Sequence, residues 1–420
     1  MAEAPDTTTT LANFFKQKFS NFMGRDLAKA SDFAMSIESE GVEETCGGTG
    51  LDVKFANKYA DGVGSAALDE GSTFPESRVS KAFQYTLGLA HMAFTVRFTG
   101  HAEAMGSSTE MGWIKGVLKE KSDEIRSSAK RTWARWLLHT GNSYLGQITA
   151  IEASGANKYI TVDGAPIHYY EPQQILTIRD LSTGGSEQLT GSGDGTVVDV
   201  DYVNGRVVLA HTQGAAVGDY VAWTGYYDKT VPNGLQKIVA ATGTIQGVTR
   251  TSVGYYSSQA VVISNGSAPM EWDTPDVLRD TVQNIAASRG SYRAKWVFNR
   301  EMRQEAANAT VGQNRFSNLN LKMGVTSMKV EDQNGEKEFI EEENLPFGSM
   351  WAVCLSEFVR AYPEGMKGGY AKRVGGEIIL PVYNSSGAMI DASQMIWIIR
   401  GNIGCRNFRC QGVTNNIVAA

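Results

Sequence analysis

The chain has 420 residues, of which 42% are hydrophobic and 20% charged, and its formal net charge is −6. These values are typical of a folded soluble protein with two or three domains, and they exclude a general basic field that would attract nucleic acid. The apolar run at residues 350–355 is too short to span a bilayer, and the first ten residues lack the features of a signal peptide. We therefore expect a protein that stays in the cytoplasm where it is made.

Residues 11–30 predict a short amphipathic helix with a very aromatic face, because apolar side chains recur at steps of three and four. These side chains are Leu11, Phe14, Phe15, Phe19, Phe22, Met23 and Leu27. The face has three interpretations: it packs on its own domain, it clasps a neighbouring copy or partner, or it lies on a membrane. The glycine-rich residues 41–50 then predict a flexible connector.

Residues 83–98 predict a β-hairpin, because two runs alternate in opposite phase and the phase changes at Ala90 and His91. The first run is Phe83, Tyr85, Leu87 and Leu89, and the second is Met92, Phe94, Val96 and Phe98. An isolated hairpin is marginal in water, so one with this many aromatic side chains needs a surface to lie on.

The strongest periodic signal in the chain predicts a long helix within residues 104–140. Its apolar stripe comprises Ile114, Val117, Leu118, Ile125, Ala129, Trp133, Trp136 and Leu137. Residues 107–109 offer N-cap side chains, and Gly141 offers a C-terminal stop. Only one stripe is apolar, so we expect the other side to face solvent or another copy. Its basic residues suit the negative end of the helix dipole. They are Arg126, Lys130, Arg131 and Arg135.

Residues 144–230 contain no helical period and predict a separate β-rich unit. Short strands are predicted at 148–151, 159–162, 175–178, 197–203, 206–210 and 220–223. Glycine-rich turns separate them, including the hairpin dipeptide Asn204-Gly205, and this pattern is typical of a small barrel or sandwich. Because the unit stands between a long helix and a mixed region, we interpret it as an inserted domain.

The remaining residues alternate helix and strand signals. Thr274 and Pro275 begin a helix that ends near Gly290. Further helical segments are predicted at 300–309 and 356–362, strands at 294–298, 350–355, 378–382 and 394–399, and a hairpin-like acidic stretch at 336–343.

No catalytic signature is present in the sequence. The histidines have no metal-spacing partners. They are His91, His101, His139, His168 and His211. The four cysteines predict reduced thiols rather than a disulfide framework or a zinc site. They are Cys46, Cys354, Cys405 and Cys410. The consecutive carboxylates at 341–343 predict a solvated face. We therefore expect no enzyme activity, no cofactor and no metal.

The order of these elements resembles the major capsid protein of tailed bacteriophages. Local sequences are also similar to members of that family: residues 217–222 (VGDYVA), 233–239 (NGLQKIV), 247–250 (GVTR) and 295–300 (KWVFNR). The resemblance implies an α+β fold with a long spine helix, an extended β-hairpin loop, an inserted small β-barrel and a mixed α/β axial domain. It divides the chain into an N-terminal arm at 1–55, an extended loop at 56–103, a peripheral domain at 104–143 and 376–420, a β-rich insertion at 144–231 and an axial domain at 232–375.

The same resemblance implies a shell subunit that forms the hexamers and pentamers of an icosahedral phage head, assembled in a bacterial cytoplasm around double-stranded DNA. It implies as partners other copies of the chain, scaffolding, portal and decoration proteins, and DNA bound without sequence preference, with no membrane. Candidate contacts between copies are Phe14, Phe15, Phe19, Phe22, Phe83, Tyr85, Phe94 and Phe98. Two alternatives stay open: a nanocompartment shell of related fold around protein cargo, against which the β insertion argues, and a sugar-binding or polysaccharide-active β protein, which needs a pair of carboxylates in a cleft.

Overall fold

A computed structural model describes most of the chain beyond its first thirty residues. The described residues are 31–46, 50–54, 84–99, 112–154, 157–180, 186–187, 195–209, 215–227, 229–245, 248–250, 259–271, 274–286, 294–300, 302, 305, 327–332, 335–363, 368–370, 379–383, 386–387 and 389–418. The predicted helix at 11–30 lies outside them.

The described residues contain both helices and several sheets, so the fold is α+β as predicted. The helices are α1 (Asp32–Glu40), α2 (Gly112–Leu138), α3 (Leu235–Ile238) and α4 (Thr274–Ala286). Short 3-10 turns lie at Ile167–Tyr169, Leu355–Glu357 and Phe408–Cys410.

The strands fall into three groups along the chain. Before α2 they are β1 (Val42–Cys46), β2 (Gly50–Lys54), β3 (Gln84–Gly88) and β4 (Ala90–Thr99). Between α2 and α3 they are β5 (Gly146–Ser154), β6 (Asn157–Asp163), β7 (Leu176–Asp180), β8 (Ser186–Glu187), β9 (Val197–Asp201), β10 (Arg206–Leu209) and β11 (Tyr220–Trp223). After α3 they are β12 (Thr244–Ile245), β13 (Val248–Thr249), β14 (Val261–Ser264), β15 (Lys295–Phe298), β16 (Ser327–Asp332), β17 (Gly335–Glu341), β18 (Met350–Val353), β19 (Phe358–Pro363), β20 (Gly368–Tyr370), β21 (Ile379–Tyr383), β22 (Met389–Cys405) and β23 (Gly412–Asn415).

The first sheet, here called the terminal sheet, joins strands from both ends of the chain. The 17-residue strand β22 pairs antiparallel with β4, β19, β20 and β21. Strand β1 pairs parallel with β19, and α1 lies beside it, with Phe33 edge-on to Phe358 at 6.0 Å between ring centroids. The prediction of a flexible connector at 41–50 is therefore wrong for β1, which a partner far along the chain fixes in the sheet.

The predicted hairpin at 83–98 is also wrong. Strand β3 pairs antiparallel with β2, from Gly50 opposite Gly88 to Lys54 opposite Gln84, whereas β4 pairs with β22. The change of phase at Ala90 and His91 therefore lies at the start of β4, where one extended segment passes from one partner strand to another. It also follows that residues 84–99 belong to the body of the fold rather than to an extended loop at 56–103.

Helix α2 spans 27 residues, which corresponds to about 40 Å, and its described C-terminal half bears the predicted stripe. The buried members are Ile125, Ala129, Trp133, Trp136 and Leu137. The helix ends at Leu138, and Gly141 follows with a φ of +68° that favours glycine. Residues 133–139 are buried on all sides, so the expectation that one side faces solvent is wrong for the last turns.

The second sheet, here called the insertion sheet, contains the strands between α2 and α3 in the order β8-β7-β11-β5-β6-β10-β9. All six strands predicted between 148 and 223 are present. A bridge between Ile175 and Thr196 and the hydrogen bond from Leu176 N to Gly195 O (2.9 Å) join the start of β7 to the start of β9, so the sheet curls back on itself.

The third sheet, here called the α/β sheet, has the order β14-β23-β18-β15-β17-β16 and mixes parallel with antiparallel pairs. Helix α4 packs on it through Leu278 and Val282, which lie so close to Gly412 that a Cβ there would stand 2.5 Å from the Val282 side chain. The predicted helix at 300–309 is described only at Arg300, Met302 and Glu305, which are helical.

The sheets do not follow the predicted domain boundaries. Strand β19 falls in the range predicted for the axial domain but belongs to the terminal sheet, and it replaces the helical segment predicted at 356–362. Strand β23 falls in the range predicted for the peripheral domain but belongs to the α/β sheet. The chain crosses between the two sheets twice, through the turns Leu355–Glu357 and Phe408–Cys410, and such short crossings leave no compositional signal.

Candidate intersubunit surfaces

Only part of the predicted set of intersubunit aromatics lies within the described residues. Those outside are Phe14, Phe15, Phe19, Phe22 and Phe83. Within the described residues are Tyr85 on β3 and Phe94 on β4, together with the backbone of Phe98.

Tyr85 lies in the core of its own chain, with 2% of its surface exposed. Its hydroxyl donates to the Cys405 carbonyl (3.1 Å) and accepts from the Cys405 N–H (2.9 Å), and its ring tilts against Phe408 at 6.2 Å. Burial raises the pKa of the Tyr85 hydroxyl above its usual range. The Tyr85 side chain is therefore hydrogen-bonded by Cys405 at the end of β22 and packed on Phe408 of the following turn, which leaves very little of it exposed to a neighbouring copy.

Phe94 is half-buried and packs against Trp397 of β22, with 6.2 Å between ring centroids. Phe98 lies opposite Ser393 in the same ladder. Tyr85 is bonded at Cys405 and Phe94 lies opposite Trp397, so eight residues of β22, about 26 Å, separate them. The structure does not bring these two aromatics together in one patch.

The hairpin of β21 and β22 instead exposes a group of apolar side chains at its end. Tyr383 (53% exposed) pairs with Met389 (69%), and Ile390 (42%) follows opposite the buried Val382. Single exposed apolar residues are common on protein surfaces, but Tyr383 and Met389 are direct partners on one face of the hairpin and form a patch, whereas Ile390 lies on the opposite face. We call Tyr383, Met389 and Ile390 the terminal-sheet tip.

The turn between β9 and β10 exposes a second group, Tyr202 (58%) and Val203 (93%), which we call the insertion tip. The Asp201 carboxylate fixes this turn, accepting from the Val203 and Asn204 N–H groups (3.2 and 3.1 Å) and from the Asn204 side-chain amide (2.6 Å). These hydrogen bonds lower the pKa of Asp201, and the bond from the Asn204 side-chain amide has the largest effect. The predicted strand at 197–203 therefore ends at Asp201, since the Asn204-Gly205 turn begins earlier than alternation suggests.

An aromatic cluster fixes the insertion sheet to helix α2. Trp136 lies edge-on to Trp223 at 5.4 Å and tilts over Tyr226 at 5.5 Å, and Tyr169 tilts against Trp223 at 6.1 Å. Arg135 lies over the Tyr169 and Trp223 rings at 5.4 and 5.7 Å.

Arg135 also donates to the His168 carbonyl (2.9 Å) and to the Glu171 carboxylate (2.8 Å). Its charge is therefore used to attach the insertion, which the dipole interpretation of the basic residues did not anticipate. One local signal of this role is that Arg135 stands directly beside Trp136 in the run Trp133-Ala134-Arg135-Trp136.

The titratable groups of the described residues form no recognisable reaction centre. Burial lowers the pKa of His139 to about 4, and its ring bonds to the Leu145 carbonyl and to Thr140. Burial raises the pKa of the Cys405 thiol well above its usual range. No three His, Cys, Asp or Glu side chains among the described residues are placed to hold a metal ion. In the same part of the chain, no helix is long and apolar enough to cross a membrane.

No protein-family model and no curated protein matches the chain in sequence. Among solved structures, the chain is similar to the capsid of cyanophage A-1(L), with a TM-score of 0.45 and 8% identity over 90% of this chain and 91% of the other. It is similar to a structure of Gordonia phage Cozz, with a TM-score of 0.43 and 11% identity over 91% and 86%. It is also similar to an encapsulin complex from Synechococcus elongatus, with a TM-score of 0.41 and 8% identity over 91% and 86%.

Proposed function

We propose that the chain is a major capsid protein, which assembles with copies of itself into the hexamers and pentamers of an icosahedral phage head around double-stranded DNA. The observation that carries the proposal is the order of its elements. An antiparallel ribbon of β2 and β3 precedes a long helix, a β-rich insertion, a mixed α/β sheet and a returning C-terminal strand. This is the order that the sequence resemblance implies.

The finer parts of the architecture belong to the same proposal. Helix α2 is the spine helix, the terminal sheet is the core of the peripheral domain, and the α/β sheet is the core of the axial domain. The insertion is a small barrel, which is supported by the bridge between Ile175 and Thr196. Scaffolding, portal and decoration proteins are its further partners, and its place is the virion after assembly in the bacterial cytoplasm.

Two of the predicted contacts between copies, Tyr85 and Phe94, pack within their own chain, and the others stay predictions. The two exposed tips are better candidates. Each presents apolar side chains on a hydrogen-bonded hairpin, so little conformational entropy is lost when it is covered. We propose the terminal-sheet tip as a contact between copies in the shell.

The test is expression of the full chain in bacteria, followed by sedimentation and negative-stain electron microscopy. We expect closed particles far larger than any small oligomer, alone or with a co-expressed scaffolding protein. A chain that remains monomeric in every assembly condition, including crowding and raised ionic strength, would overturn the proposal.

The content of the particles separates the two kinds of shell. Particles recovered from infected cells and treated with nuclease should retain protected double-stranded DNA. Particles that instead hold a defined protein cargo and no nucleic acid would favour the nanocompartment alternative.

A further inference from the structure

Glu342 stands directly after β17, and its carboxyl group lies at the N-terminus of helix α1. It accepts a hydrogen bond from the Phe33 N–H, and the Ser31 side chain also bonds to it. Ser31 is itself the N-cap of α1, since its Oγ accepts from the Ala34 N–H at 3.0 Å. A side chain more than 300 positions away thus completes the cap of this helix.

The carboxyl group is held where it cannot reach solvent. Glu342 is 3% exposed, and its own N–H donates to the Phe298 carbonyl at 2.9 Å. The three consecutive carboxylates at 341–343 predict a solvated face, and that prediction is wrong for the middle glutamate. The chain turns inward where β17 ends, so Glu341 and Glu343 remain near the surface beside Arg300 while Glu342 enters the core.

The groups around this carboxyl are mostly acidic or neutral. Asp32 faces it from α1, Glu343 from the following loop, and the Tyr169 hydroxyl from the insertion. Glu341 stands next to Asp32, and Arg300 pairs with both Glu341 and Glu343 at the surface. The helix N-terminus favours a negative charge here, but burial and the two neighbouring carboxylates oppose it.

We propose that Glu342 is a proton-controlled latch for α1. While the carboxyl group carries its proton, α1 stays docked through Phe33 and Ile37, which are fully buried. Loss of the proton places a charge in a buried site beside Asp32 and Glu343, and the helix undocks so that water can reach the carboxylate. The latch is a property of the single chain, and only its use in shell assembly rests on the proposed function.

The direction of the pH dependence follows from the shift. Burial raises the pKa of Glu342 to about 8 from an ordinary 4.5, with Asp32 and Glu343 adding to the shift and the Phe33 bond opposing it. Between pH 4.5 and about 8, the docked state therefore keeps a proton on Glu342 that the undocked state has lost. Docking is strongest at acidic pH, weakens as the pH rises through this window, and changes no further above about 8.

Hydrogen exchange of the full-length chain, read by mass spectrometry on peptides covering residues 33–40, tests the latch. After correction for intrinsic exchange, we expect protection to fall by up to about tenfold per pH unit across the window and then to level off. The variant Glu342→Gln keeps an acceptor for the Phe33 N–H but cannot ionise, so its profile should be much flatter. Because burial and Glu341 also raise the pKa of Asp32, Asp32→Asn is measured alongside it.

The matched control is Glu343→Gln, one residue along and exposed. The protection of α1 in this variant should fall with pH at the wild-type slope. Its plateau should begin at a slightly lower pH, because Glu343 raises the pKa of Glu342. Wild-type protection that does not change across the window would overturn the latch, and so would a Glu342→Gln profile as steep as the wild type. If Glu342→Gln does not fold, comparing the protection profiles of the wild type and Glu343→Gln still tests the latch. None of these readouts requires a shell to form.

Discussion

At the scale of single residues, a buried polar side chain helps to join the terminal sheet to the α/β sheet. Gln411 is fully buried and directly follows the Phe408–Cys410 turn, the second crossing between these two sheets. Its side-chain amide bonds to a backbone segment as a neighbouring strand would. Its oxygen accepts from the Cys354 N–H (2.9 Å), and its nitrogen donates to the Cys354 carbonyl (3.2 Å). One side chain therefore satisfies both backbone groups of a residue on the other crossing.

Replacing Gln411 with alanine should destabilise the chain strongly. The change leaves the Cys354 N–H buried without its partner and removes one of two donors to the Cys354 carbonyl, which keeps the Glu357 N–H, and we expect a cost of about 2 kcal/mol in the free energy of unfolding. Denaturant unfolding followed by circular dichroism measures it.

Gln84→Ala is the matched control for this change, because Gln84 is exposed on β3. It should change the free energy of unfolding by less than about 0.5 kcal/mol. Equal effects of the two variants would show that the amide pairing with Cys354 contributes nothing.

At the scale of elements, each of the two tips presents adjacent exposed apolar side chains at the end of a hairpin. The double variant Tyr383→Ser with Met389→Ser removes most of the terminal-sheet tip. We expect particle yield to fall by about tenfold or more, because contacts that carry binding energy are few and apolar. The free energy of unfolding of the single chain should change by less than about 1 kcal/mol, since both side chains are exposed.

The control for the tip is Val262→Ser, which removes a similarly exposed apolar side chain from the α/β sheet. Particle counts by electron microscopy give the yield for the wild type, the double variant and Val262→Ser, at matched concentrations of folded protein. Normal yield from the double variant would exclude the terminal-sheet tip as a contact between copies.

The elements that could be predicted from the sequence are those whose signal is local. Helix α2 has its period, the insertion strands have alternation and glycine turns, and β15 and β18 are short apolar runs. The partners of strands are not local information. No residue near β4 in the sequence indicates that this strand pairs with β22. The phase change before β4 is compatible both with a hairpin and with a change of partner strand. The burial of Glu342 could not be predicted for the same reason, because the helix that it caps is distant in sequence.

At the scale of the whole molecule, the insertion sheet is a separable unit. Each of its strands pairs only with others of the same sheet within the described residues, and its strands bury side chains such as Ile160, Ile178 and Leu209, in a core that continues into the rest of the chain. Its ends are adjacent, because Gly146 lies opposite Val221 in the ladder of β5 and β11. Its attachments to the rest of the chain include the aromatic cluster around Trp136 and the hydrogen bonds of His168 and Tyr169 to Asn344.

Residues 144–231 expressed alone should therefore fold, with a cooperative thermal transition. Trp223 is the single tryptophan of this segment and is 5% exposed in the full chain. Its fluorescence should shift to the red in the fragment, because the fragment lacks Trp136. The fragment with Ile160→Asp is the control and should be unfolded, since it buries a charge. A fragment without a cooperative transition would contradict the separability of the insertion.

The pairing of β4 with β22 also sets an order of events during synthesis on the ribosome. Thr99 lies opposite Ala392, so β4 emerges long before the strand that completes its ladder has been translated. The insertion strands pair with one another and so are expected to fold while the chain is still growing, whereas the terminal sheet can close only after β22 has been translated. A nascent chain that has not reached β22 therefore carries no finished terminal sheet, and copies on one messenger RNA cannot associate through that sheet before β22 emerges.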